Sequence, residues 1–112
     1  MNITVRTQIL DGNLGDGWRD NYSAAKALAE FTEKIWRDDL HEYSDDDIEI
    51  NIDVERNTSG CSRSVEVFVE DCPNGIDDYD EEQKIASVLT DENTIWEKFL
   101  DNNEAKHHYD EN

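Results

Sequence analysis

Ile48-Glu49-Ile50-Asn51-Ile52-Asp53-Val54-Glu55 is the stretch that decides the fold. Successive side chains on a strand point to opposite faces. Ile48, Ile50, Ile52 and Val54 therefore share one side, and Glu49, Asn51, Asp53 and Glu55 share the other. This strict alternation predicts a half-buried strand with a carboxylate-bearing face toward water. Ser64 to Glu70 repeats it, with Val65, Val67 and Val69 inward and Ser64, Glu66, Phe68 and Glu70 outward. Asn57-Thr58-Ser59-Gly60 supplies turn formers between the two runs, which are expected to form a central hairpin.

Working toward the N-terminus, residues 2–10 alternate in the same way, with Ile3, Val5 and Ile9 against Thr4, Arg6 and Gln8. Three glycines within Asp11-Gly12-Asn13-Leu14-Gly15-Asp16-Gly17 mark a loop. A helix is expected from about Ser23 as N-cap, with Ala24, Ala27, Leu28, Phe31 and Ile35 on one face and Trp36 and Leu40 widening it. Asp38 and Asp39 fall in its last turn, where the helix dipole disfavours negative charge.

Toward the C-terminus, Pro73-Asn74-Gly75 is a turn. A helical region then opens on an acidic first turn at residues 77–82, with Ile85, Val88, Leu89, Ile95, Trp96, Phe99 and Leu100 as its apolar face. Asp91 is a candidate cap for a second helix, which leaves the region either continuous or divided near Thr90. The order β-α-β-β-α predicts an α+β two-layer sandwich, a three-stranded sheet with two helices on one face. A crossover through the first helix makes the first two long strands parallel, with space for one strand between them. Residues 1–103 are expected to form one domain and 104–112 a polar, frayed tail.

The chain has 112 residues, suited to a single core. It carries 29 Asp and Glu against 10 Lys and Arg, a formal net charge of −19. Solubility asks for a net charge of only about 2–8 in a small domain. The acid is concentrated. Up to Arg37, five acids offset five bases; residues 38–82 then hold 17 acids and only Arg56 and Arg63 as bases. Such a chain repels nucleic acid and anionic membranes and attracts basic surfaces. The neutral first third sets it apart from salt-adapted proteins, which are acidic throughout.

Chemistry-bearing patterns are sparse. Cys61 and Cys72 are expected at opposite ends of one strand, roughly 35 Å apart by strand rise and beyond disulfide reach. With no signal or lipidation pattern, a reducing cytoplasm is expected. Neither Asp11-Gly12-Asn13 nor the acids at 77–82 follow an EF-hand spacing, and His41, His107 and His108 make no zinc pattern with two cysteines. No nucleophile elbow or phosphate loop occurs. The expectation is no enzyme, no metal and no cofactor.

A nucleic-acid strand carries one charge per roughly 3.4 Å, and carboxylates two apart on a strand stand about 6.6–6.8 Å apart. In size, charge and the acidic block at residues 38–82, the chain resembles the small acidic DNA-mimic proteins of phages and mobile elements, among them anti-CRISPR, anti-restriction and DNA-glycosylase inhibitor proteins. The resemblance covers less than half the chain and includes no diagnostic motif. It implies an inhibitor that occupies the DNA-binding surface of a basic protein or ribonucleoprotein in a bacterial cytoplasm, a CRISPR–Cas effector first among them. The expected contact residues are Asp38, Asp39, Asp45, Asp46, Asp47, Glu49, Asp53, Glu55, Glu66, Phe68, Glu70, Asp71, Asp77 and Asp78. The alternative is an immunity protein or antitoxin capping a basic nuclease toxin.

Overall fold

The computed structural model describes residues 1–109. The elements are β1 (Asn2–Leu10), α1 (Asn21–Asp39), β2 (Ile48–Glu55), β3 (Glu66–Glu70), α2 (Asp78–Val88), α3 (Glu92–Asp101) and α4 (Asn103–His108), with short 3₁₀ turns at Asp11–Leu14 and Asp45–Asp47. The result is the α+β arrangement of one mixed sheet and covering helices.

Strand order differs from a central hairpin. The sheet runs β2-β1-β3, so β1 lies between the two acidic strands. β1 pairs parallel with β2 from Ile3↔Ile48 to Leu10↔Glu55, and antiparallel with β3 from Asn2↔Glu70 to Arg6↔Glu66. No strand separates β1 from β2. Parity of the side chains specifies a face but not a neighbour, and the ten residues between β2 and β3 are enough to pass over the end of β1. The turn at residues 57–60 is instead anchored on β1's extension: buried Asp11 accepts from the Asn57 and Thr58 N–H groups at 2.9 and 3.2 Å. Gly12 is required there because a Cβ would strike the Thr58 carbonyl.

The inward faces are as expected. Ile3, Val5, Ile48, Ile50 and Val69 form the sheet side of one core, closed by Leu28, Trp36 and Leu40, by Ile85, and by Ile95, Phe99 and Ala105 from the later helices. α1 starts two residues before Ser23: Asp20 is the N-cap, accepting from Ser23 N at 3.1 Å. Its most buried residues are Ala24, Ala25, Leu28, Thr32 and Trp36, while Ala27, Phe31 and Ile35 are half-buried. Thr32 fits this face because its hydroxyl donates to the Leu28 carbonyl at 2.7 Å.

The last helical region, open in sequence between a continuous and a broken form, is broken near Thr90, and Asp91 caps α3 by accepting from Thr94 N at 2.9 Å. The expected frayed tail is not what residues 104–109 form. α4 follows an Asn102 cap, buries Ala105 to 2% exposure, and leads to a bridge between Trp18 and Tyr109. Its six residues are too short to show a period. The rest of that tail, residues 110–112, lies outside the described residues.

Candidate partner-binding surface

β1, β2 and β3 turn one face to their helices, and the register places the other face row by row. Glu49, Asn51, Asp53 and Glu55 form one outer row, Thr4, Arg6 and Gln8 the middle row, and Glu70, Phe68 and Glu66 the third. Neighbouring strands stand about 4.8 Å apart, so the two carboxylate rows are roughly 10 Å apart. That separation lies between the widths of the two grooves of B-DNA, about 6 and 12 Å.

The middle row is not acidic. Arg6 stands opposite Glu66 in register and lies over the Phe68 ring at 5.5 Å. Phe68 stays 43% exposed, as expected of an outward residue, but it is stacked by a cation rather than standing alone among carboxylates. Asp53 is met by Arg63 at 3.4 Å, an exposed pair worth little in stability. Glu55 and Glu66 lie toward this same Arg-bearing end.

The opposite end of the sheet has few bases. β1 and β2 begin there and β3 ends there. Asp45, Asp46 and Asp47 form the turn leading into β2, followed by Glu49; Glu70 and Asp71 close β3. The Cys72 thiol donates to Met1 Sδ at 3.8 Å, and the Asp78 carboxylate, as a hydrogen-bond acceptor first and then with burial and its charge, pushes the thiol up to about 11. Asp77 caps α2 by accepting from Tyr79 N at 2.8 Å, which places one more acid at this end. Asp38 joins from the end of α1, near Asp45. Arg37 reaches Asp45 only at 4.0 Å and also holds Glu33 at 3.5 Å.

Of the fourteen expected contact residues, twelve are exposed; Asp39 and Asp47 are partly covered. Asp39 has a structural task, accepting from Thr90 N at 2.7 Å, which ties the end of α1 to the α2–α3 joint. That bond explains a carboxylate in the last helical turn without invoking a partner. Asp53, Glu55, Glu66 and Phe68 form a mixed, Arg-bearing region. Asp38, Asp45, Asp46, Asp47, Glu49, Glu70, Asp71, Asp77 and Asp78 gather at the acidic end.

Some features were not read from the sequence. Asp11 is buried, and Glu81 is 8% exposed and accepts from the Tyr43 hydroxyl. Burial and the Glu81 hydrogen bond push the Tyr43 phenol well above its ordinary value. Ile76 and Tyr79, 46% and 64% exposed, add apolar area on the approach to α2 and its first turn. Trp18 packs against Trp96, Phe99 and Tyr109 and donates to the Leu14 carbonyl at 2.6 Å, which makes it an anchor for its own loop. Cys61 and Cys72 are both free. Among the described residues, no three metal-binding side chains converge, and no helix is long and apolar enough to cross a membrane. Comparison with protein-family models, with curated proteins and with solved structures finds no match.

Proposed function

We propose that the chain is an acidic DNA mimic that inhibits a DNA-binding protein or complex, a CRISPR–Cas effector first among candidates, by lying on the basic surface its DNA would occupy. The observation that carries this reading is the acidic end of the sheet, where nine expected contact residues meet only Arg37 as an ion-pair partner among the described residues. The molecule measures 57 × 26 × 20 Å and carries −19, roughly one net charge per 3 Å of length, against one per about 3.4 Å along a nucleic-acid strand. Arg and Lys side chains of a DNA-binding groove would meet carboxylates able to accept charge-assisted hydrogen bonds. The two rows about 10 Å apart would span such a groove from its two walls. Immobilised protein should capture basic DNA-binding proteins from a bacterial lysate, and duplex DNA should release them. Capture that duplex DNA leaves unchanged would contradict the mimicry.

A second reading, an immunity protein or antitoxin for a basic nuclease, has one observation in its favour. Phe68 and Tyr79 are 43% and 64% exposed beside the acids, and a phosphate backbone offers no counterpart to them. Buried aromatic anchors are what protein partners read. Paired Phe68→Ala and Tyr79→Ala substitutions that abolish binding, with retention of binding in Glu49→Lys, would favour this reading over mimicry.

A further inference from the structure

The two edges of the sheet are treated differently. The outer edge of β3 is covered, because α2 lies against it and Glu82 accepts the Val69 N–H at 3.1 Å. β2, the other edge, has eight residues and, among the described residues, no strand on its outer side. Among the described residues, no side chain hydrogen-bonds to its main chain. Folded proteins commonly cover or blunt such an edge, since its unpaired N–H and C=O groups are a template for another strand.

A groove of about 740 Å³ follows this edge along residues 50–54. α1 forms its other wall with Lys26, Glu30 and Lys34, all exposed and spaced by four residues, together with Ala29 and with Glu33, which Arg37 holds at 3.5 Å. At 1.5 Å per residue these charges step by about 6 Å. Same-side positions on a strand step by about 6.6–6.8 Å. A strand laid on β2's edge would therefore keep pace with a plus-minus-plus row. Four of the ten bases, Arg6, Lys26, Lys34 and Arg63, line this groove in a molecule of net charge −19.

We propose that the free edge of β2 takes an extended segment of another polypeptide by strand addition. The α1 row selects a segment with acid, base and acid at alternate positions, Glu-x-Lys-x-Glu. Main-chain pairing supplies the affinity and the alternate side chains the selectivity. The pattern is the same read in either direction, so either strand polarity satisfies it. A second copy is a poor occupant, because β2 against β2 would set one row of Glu49, Asp53 and Glu55 beside another.

The test uses two soluble peptides, Thr-Glu-Val-Lys-Val-Glu-Thr and its charge-reversed form Thr-Lys-Val-Glu-Val-Lys-Thr, titrated into the whole chain with amide exchange followed at β2. The net field of the protein favours the second peptide, and the groove favours the first. The first should bind about fivefold or more tightly than the second and protect amides of residues 50–54. Lys26→Glu with Lys34→Glu, both exposed, should reverse that preference. Tighter binding of the charge-reversed peptide by the unaltered chain, binding that leaves β2 amides unprotected, or a dimer already pairing through β2 would each overturn the proposal. All three outcomes are independent of capture by the acidic end.

Discussion

Asp11 does at the residue scale what a hairpin would otherwise do. Its carboxylate, 4% exposed, takes two backbone N–H groups from the β2–β3 connection and so fixes where that connection passes over β1. Asp11→Ala leaves both donors unmet and should cost about 2–4 kcal/mol in urea unfolding, with Asp11→Asn costing less. Cys72 offers a second residue-level test. Its thiol is raised from 9.0 to about 11, so the unfolded chain ionises first as pH climbs. The stability this confers is whole below the unfolded value and is lost as pH rises through the folded one. At pH 8, Cys72 should alkylate on the order of a hundredfold more slowly in the folded chain than in urea, each pKa unit being tenfold in thiolate; exposed Cys61 serves as the internal control. Equal folded and unfolded rates would remove the Asp78 contact. Neither Asp11 nor Cys72 was legible in the sequence. Asp11 sits among loop-forming glycines where a solvated acid is the ordinary reading, and the partners of both residues are distant in sequence.

At the scale of the element, the strands were legible because alternation is a local property. Ile48 to Val54 and Val65 to Val69 face inward as the pattern requires. The order β2-β1-β3 was not legible, because a period of two says nothing about which strand lies alongside. The middle row, with Arg6 on Phe68, follows from that order, and the acidic face is divided as a consequence. α4 escaped for a different reason: its contribution is one buried alanine and a cap, with no repeating face. The Asp91 cap was legible and carries its own pH dependence. Backbone and side-chain hydrogen bonds from Thr94 hold the Asp91 carboxyl below its ordinary value. Its support is therefore present above the unfolded value, near 4, and is lost as pH falls through the lowered folded one. Asp91→Asn should give a shallower loss of stability in acid, followed by circular dichroism. An unchanged acid limb would assign that loss to other carboxylates.

For the whole molecule, an unbalanced −19 is a standing cost, since like charges repel across a compact body. Raising salt from about 10 mM, where the Debye length is near 30 Å, to about 0.15 M, where it is near 8 Å, should raise the melting temperature. A flat response would mean that the carboxylates are already compensated. The same salt change should weaken partner binding roughly tenfold or more, because attraction to a basic surface is screened as well. The two effects have opposite consequences for function. The charge that makes the fold less stable is the charge proposed to bring the partner in.

Position can be separated from total charge by comparing two variants with the same net change. Glu49→Lys with Glu70→Lys alters the acidic end of the sheet, while Glu97→Lys with Glu104→Lys alters exposed positions on α3 and α4. The measurement is DNA-sensitive capture of basic proteins from a bacterial lysate at matched salt. The sheet pair should lose it and the helix pair should retain it, with both proteins folded. Equal loss in the two variants, or retention in the sheet pair, would contradict an organised carboxylate surface at that end of the molecule.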